Sequence, residues 1–107
     1  MHIYYLNMQK QEELILPSLF EIGSYKVFFW SNENNEPIHV HIGKGKPTSN
    51  ATKIWLTAAG GCIIAHNYGK IPQKELNELL EIISAQYFFI CAAWKEHFCL
   101  SEIKFFC

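Results

Sequence analysis

The sequence has almost no net charge, and this limits what whole-molecule electrostatics can explain. Nine basic and ten acidic side chains leave a formal charge of −1 at pH 7. A protein that attracts nucleic acid through its overall field carries a clear excess of positive charge. Any phosphate-binding surface on this chain must therefore be a local patch.

Long apolar stretches are also missing. The longest apolar run, Tyr87 to Trp94, is far shorter than the roughly 20 residues of a membrane-spanning helix. The first residues, Met1 to Leu6, lack the basic start and the long apolar segment of a secretory signal. We therefore expect a soluble, cytoplasmic protein with no membrane contact.

Motifs for common reactive centres are absent. No Cys-x-x-Cys pair occurs, so neither a zinc knuckle nor a redox motif is indicated, and free thiols are expected. No serine or cysteine lies in an evident nucleophile motif. Gly43-Lys44-Gly45-Lys46 lacks the Walker spacing and a following helix, so it does not predict a phosphate loop. No cofactor is expected, apart from the divalent metal considered below. The four cysteines are Cys62, Cys91, Cys99 and Cys107.

The residues that are present indicate one globular domain. Half of the 107 residues are apolar and 15% are aromatic, which suits a single modest core. We divide the chain into an N-terminal appendage (1–18), a core domain (19–98) and a C-terminal tail (99–107). The predicted fold is α+β: an antiparallel meander of four to five strands with one long C-terminal helix packed on one face.

Periodicity predicts the elements of this fold. Pro72 marks a helix start, and apolar residues then recur at a spacing of three and four up to Phe98 with no internal Pro or Gly. One long helix is therefore expected, either straight or bent near Ser84-Ala85-Gln86. Tyr87 and Trp94 lie on this apolar stripe and are expected in the core, whereas Glu96 and His97 are expected to be a solvated pair. Segments rich in β-branched and aromatic residues predict strands at 19–22, 25–30, 38–42, 51–57 and 62–66.

The second half of the predicted helix is apolar on nearly every side. Phe88 and Phe89 extend the apolar surface beyond what one sheet face can bury. Either the tail Leu100–Cys107 or another subunit is expected to cover them. These two residues are therefore interface candidates, and a homo-oligomer is one expectation.

The segment Pro37-Ile38-His39-Val40-His41-Ile42 is the most informative in the chain. Side chains on a strand alternate between its two faces, so His39 and His41 point to the same side. If Val40 and Ile42 face the helix, the two histidines lie on the outer face of the sheet. We expect both rings to be reachable by solvent there.

Three interpretations of the pair stay open. His39 and His41 could bind one metal ion, with Glu33, Glu36 or His66 as the further ligand. A glutamate could instead orient one ring for general acid–base catalysis. The third interpretation is structural, with one histidine hydrogen-bonded to a loop carbonyl.

A different function would use the whole outer face. Lys53 and Trp55 are expected to share that face with the histidines, with Lys44 and Lys46 at its edge. Cations interleaved with aromatic rings can meet phosphates and stack bases, which makes RNA or DNA a candidate ligand. The candidate binding residues on this face and in the polar loop that precedes it are Glu33, Asn34, His39, His41, Lys53 and Trp55.

Segments spread over residues 19–98 resemble, in the same order, a small bacterial family known as domain of unknown function 4160. Ile38 departs from its Pro-Pro-His-x-His signature, in which the second position is proline. The resembling segments are Leu19 to Glu33, Pro37-Ile38-His39-Val40-His41, Ala51-Thr52-Lys53-Ile54-Trp55-Leu56, Tyr68-Gly69-Lys70-Ile71-Pro72 with Glu75-Leu76, and Trp94.

This resemblance carries an implication about function. The family has no settled activity, but its members are often encoded beside another small protein, and a toxin–antitoxin-like role has been suspected. The resemblance thus implies a protein-binding or regulatory module with a partner encoded nearby. The alternatives are a metal-dependent or acid–base enzyme, such as a hydrolase or nuclease using His39 and His41, and an RNA- or DNA-binding module.

Overall fold

The computed structural model describes residues 19–30, 35–45 and 48–107. Within them, five strands form one antiparallel sheet in which each strand pairs with the next along the chain. This confirms the predicted meander, while the predicted appendage, 1–18, lies outside the described residues. The strands are β1 (Phe20–Ile22), β2 (Tyr25–Phe28), β3 (His39–Lys44), β4 (Thr52–Leu56) and β5 (Cys62–His66).

Strand register separates the sheet into a helix-facing side and an outer side. Val40 pairs with Ile54 on the first side, while His39 pairs with Trp55 on the second. Directly opposed residues of an antiparallel pair share a face, so the alternation in the sequence becomes a division between core and outer residues. Gly23, at φ +60°, makes the tight turn between β1 and β2, a conformation that other residues adopt only with strain.

Two helices cover the helix-facing side. They are α1 (Gln73–Ala85) and α2 (Tyr87–Phe98), whose axes meet at an angle of 69°. Their buried positions keep the three- and four-residue spacing of an amphipathic helix across the break: Leu76, Leu79, Ile83, Tyr87, Ile90, Ala93, Trp94 and His97.

The prediction of one long helix is therefore wrong. A straight helix over 73–98 would be about 39 Å long, whereas a five-strand sheet is only about 20 Å across. The bend at Gln86 lets α2 return to the sheet instead of overhanging it, so Trp94 ends up almost completely buried. Hydrogen bonds at the bend continue, because the Gln86 backbone N–H donates to the carbonyls of Ile82 and Ile83.

The C-terminal tail packs against the core. The backbone N–H of Ile38 donates to the carbonyl of Lys104 at 2.9 Å, and that of Ala58 donates to the carbonyl of Cys107 at 2.9 Å. Leu100, Ile103 and Phe105 are partly buried against the core. The tail thus runs beside the start of β3 and the turn after β4, and it does not cover Phe88, which is 82% exposed.

Neither helix is by itself long and apolar enough to cross a membrane. Taken together, α1 and α2 would meet the length and composition required, but the sharp bend between them separates the two halves; this holds for the described part of the chain.

Candidate functional site

Strand β3 places His39 and His41 side by side on the outer side of the sheet. Their ring centroids lie 5.0 Å apart, and the ring planes are nearly perpendicular at 89°. Alternation along the strand accounts for this placement, as the sequence predicts. We call the outer surface formed by His39, His41, Lys53 and Trp55 the histidine face.

His39 is inside the molecule. The residue is 0% exposed, and its ring packs against Trp55 at 5.6 Å and against Trp94 of α2 at 5.4 Å between centroids. Its Nδ1–H donates to the carbonyl of Pro37 at 2.9 Å, which fixes the ring relative to the loop that enters β3. This hydrogen bond to a loop carbonyl is the contact expected if the histidine pair has a structural role.

His41 is also largely covered, at 7% exposure. The ring of Phe28 stacks on it with centroids 5.6 Å apart, and Trp30 approaches edge-on at 6.3 Å. The prediction that both imidazoles are reachable by solvent is therefore wrong. The physical reason is that aromatic side chains from neighbouring strands bury more apolar area when they close over these rings than when they leave them open.

Lys53 and Trp55 lie on the histidine face as predicted, but both are engaged within the chain. The Lys53 ammonium forms an ion pair with Glu36 at 2.6 Å and lies 4.4 Å from the centre of the Trp55 ring. On Trp55, the ring of Phe106 stacks almost parallel, with centroids 4.9 Å apart and a 5° interplanar angle. The surface proposed for base stacking is thus occupied by the protein's own tail.

His66 extends this group of side chains onto β5, where it is paired with Lys53. The pKa of His66 lies below its usual value, chiefly because burial disfavours the charged form and secondly because His41 and Lys53 repel it. The backbone N–H of Tyr68 donates to His66 Nδ1 at 3.3 Å, so the neutral ring carries its proton on Nε2. This ring is a base that stays neutral near pH 7.

A metal site is not assembled on this face by the residues that the structure describes. Among them, no three histidine, cysteine or acidic side chains are arranged to hold an ion. Zinc sites take three or four such ligands. His39 and His41 therefore lack a described third ligand, while the predicted donor Glu33 and the binding candidate Asn34 lie outside the described residues.

The thiols give no reactive centre either. All four cysteines are free, as the sequence predicts. Burial raises the pKa of both Cys62 and Cys91, which keeps these thiols protonated and poorly nucleophilic. The Cys62 Sγ lies 3.3 Å from the hydroxyl of Ser84, so its contacts tie β5 to α1.

An apolar surface lies on the helices. Phe88 is 82% exposed and Phe89 38% exposed, at the first turn of α2. Ala85 and Ala92 are exposed at the flanking positions, three or four residues away. We call these four residues the helix stripe, and within it the sequence-predicted interface candidates lie together.

Comparison with known protein families identifies the family of this chain. A family model described as "Domain of unknown function (DUF4160)" matches residues 24–95. The chain belongs to this family. No curated protein and no solved structure matches the chain.

The match defines which features lie in the family domain. It runs from the turn before β2 into the last turn of α2 and so includes both histidines, Lys53 and Trp55, as well as the helix stripe. Phe106, which covers Trp55, lies beyond it. Sequence reasoning missed Phe106 because a short apolar tail carries no periodicity that assigns it to a face.

Proposed function

We propose that this protein is a small protein-binding module that docks its partner on the helix stripe. The observation that carries the proposal is the exposure of Phe88, which is 82% exposed, more than any other large apolar residue that the structure describes. Single exposed apolar residues are ordinary, but neighbouring ones that form a patch, here at the junction of α1 and α2, are typical of an interaction site.

The composition of the helix stripe favours a helix or groove as the docking partner. Phe88 and Phe89 supply two aromatic anchors of the type that dominates binding energy at interfaces. The flanking Ala85 and Ala92 are small, so a partner backbone can approach closely between them. Charged Lys95 and Glu96, both exposed, follow at the end of the stripe and give it a polar rim.

The partner that we propose is the product of the neighbouring gene in a toxin–antitoxin-like pair. Family membership supports this choice, because the resemblance described above associates such proteins with a small protein encoded nearby. We propose a regulatory role for this module, in which binding holds the partner protein in one conformational state.

The enzymatic and nucleic-acid interpretations have less support. His39 has no exposed surface, so a substrate could reach it only after the ring packing around it opened. Lys53 is paired with Glu36, and Trp55 is stacked on Phe106. Each group on which those interpretations depend therefore already has an intramolecular contact.

Phe88→Asp tests the proposal. Fully burying a phenylalanine contributes about 2 kcal/mol, which corresponds to about thirtyfold in affinity. The chain should be co-expressed with the product of the adjacent gene, and the dissociation constant should be measured by calorimetry. We expect Phe88→Asp to weaken binding at least to this extent, because an aspartate at the contact must also be desolvated.

Ile63→Asp is the matched control. Ile63 lies on β5, is 40% exposed and pairs with Trp55 on the opposite side of the sheet. It should leave the dissociation constant unchanged, with the melting temperature of both variants measured to verify folding. Binding that survives Phe88→Asp unaltered, or a neighbouring product that does not bind at all, would refute the proposal. A wild-type dimer that Phe88→Asp converts to monomer would keep the surface but replace the partner with a second copy.

A further inference from the structure

A second feature, separate from the helix stripe, is an open cavity of about 360 Å³ at one end of the sheet. It lies where the end of β3, residues 48–51 before β4 and residues 68–72 before α1 converge. Its volume falls within the range of about 300–1,000 Å³ typical of small-molecule sites. The polar lining is contributed by Lys44, Thr48, Asn50, Tyr68, Gly69 and Lys70.

The charge of this lining has one sign. Lys44 and Lys70 both line the cavity, and among the residues that the structure describes no carboxylate does. The Lys44 ammonium lies 5.0 Å from the centre of the Tyr25 ring, a cation–π contact that helps to define its position. Glu75 and Glu78 line the adjacent cavity, which Tyr25 and Lys44 also line, and the Glu75 carboxylate accepts a hydrogen bond from the Tyr25 hydroxyl at 2.5 Å.

The backbone around Lys70 is held in an unfavourable conformation. Lys70 has φ +56°, in the left-handed region where a glycine would be unstrained. The fully buried Thr52 supports this loop, because its hydroxyl donates to the Asn67 side chain at 2.6 Å and accepts from the Gly69 N–H at 3.1 Å. A side chain at Gly69 would meet the Thr52 hydroxyl at 2.8 Å, so the backbone approaches closely here.

A lysine retained at such a position is a reason to look for a function of its side chain. Strained residues persist where the surrounding structure fixes them, and they are concentrated at ligand sites. The side chain of Asn67 fixes the loop that contains Lys70. It accepts a hydrogen bond from the Ile71 N–H and donates one to the Ile71 carbonyl, each at 3.0 Å. The loop therefore fixes the backbone of Lys70 at the edge of the cavity, at some cost in stability.

We propose that this cavity binds a small phosphate-bearing molecule, with Lys44 and Lys70 contacting the phosphate. Lysine ammonium groups act here as point charges, since the sequence contains no arginine. Tyr68 forms an aromatic wall for the organic part of the ligand, supported from behind by His66, whose ring stacks on it at 3.6 Å. This is not a Walker loop: the cations come from two separate segments, the end of β3 and the loop before α1.

Titration with inorganic phosphate and with adenosine 5′-monophosphate tests this inference. Backbone amide shifts in ¹⁵N-labelled protein should report saturable binding at Gly69 and Lys70. Lys44→Gln and Lys70→Gly should each weaken binding about tenfold, the effect of losing one charge-assisted contact. Lys74→Gln, an exposed lysine on α1 outside the cavity lining, is the matched control and should change nothing.

Lys70→Gly provides a second readout, because it removes the strain along with the charge. Its melting temperature should rise while its phosphate affinity falls. If adenosine 5′-monophosphate binds more tightly than phosphate, the result supports the role of Tyr68 as an aromatic wall. If both bind equally, the site recognises only the phosphate group. Absence of saturable shifts with both probes, or affinities that Lys44→Gln and Lys70→Gly leave unchanged, would overturn the inference. None of these residues belongs to the helix stripe, so partner binding can fail or succeed independently.

Discussion

The buried ring of His39 can be tested directly by replacing it. His39→Ala removes an imidazole that is 0% exposed and packed between Trp55 and Trp94. It also removes the hydrogen bond to the carbonyl of Pro37. If the ring is a structural element of the core, both losses should appear in the free energy of unfolding.

The magnitude follows from these two losses. Removing a large buried side chain costs about 2–5 kcal/mol, and an unpaired acceptor adds about 1 kcal/mol. Histidine is smaller and more polar than the apolar side chains for which the range of about 2–5 kcal/mol was obtained. We therefore expect His39→Ala to lower the free energy of unfolding by about 3 kcal/mol in total. Domains of this size are stable by only about 5–15 kcal/mol, so the variant should be markedly less stable but still folded.

Urea unfolding followed by tryptophan fluorescence measures the effect. A slope near 2 kcal/mol per molar urea converts the expected loss into a midpoint about 1.5 M lower. His39→Asn retains an N–H that can donate to Pro37 and should lie between alanine and wild type. His66→Ala, at a half-exposed position, should cost only about 0.5 kcal/mol. A urea midpoint for His39→Ala within the error of the wild-type value would refute the buried position of the ring. The ring would then be accessible to solvent, and the metal-binding and catalytic interpretations would be open again.

The tail and the pH dependence give the remaining predictions. Phe106→Ala should uncover Trp55, increasing acrylamide quenching of tryptophan fluorescence and lowering stability by about 1 kcal/mol; unchanged quenching would mean that the stacked ring does not protect Trp55. Burial holds the pKa of His97 below its usual value, so the unfolded chain binds more protons below about pH 6.5. Urea midpoints should therefore fall as pH falls from about 7.5 to about 5.5, and less so in His97→Gln; equal slopes would contradict this assignment.

Much of the fold could be predicted because it depends on periodicity. Alternation in β3 assigns Val40 and Ile42 to the helix side and the histidines to the other, and the structure has this division. The apolar spacing identifies Tyr87 and Trp94 as buried, which they are. These predictions succeed because each uses residues close together in sequence, where strand and helix geometry alone fixes the direction of side chains.

What periodicity could not predict is how distant segments cover one another. The break at Gln86 lies where a bend of one helix was expected, but without a proline or glycine there the apolar spacing does not predict that the helix divides in two. His97, expected in solvent at a helix end, is buried against Phe29 with ring centroids 5.6 Å apart. The covering of Trp55 by Phe106 depends on a contact between residues 51 positions apart, beyond any local pattern.

These contacts separate residues that maintain the fold from residues available for binding. His39 and Phe106 lie in intramolecular contacts, so their replacement should lower stability whether or not the protein is bound to anything. Phe88 and Lys70 are the reverse: an exposed phenylalanine and a lysine in a left-handed conformation contribute little to the isolated chain or reduce its stability. Strained residues and exposed apolar patches are enriched at binding sites, which makes these residues the candidates for contacts in a complex. The helix stripe and the lysine-lined cavity, rather than the histidine pair, are therefore where binding should be sought first.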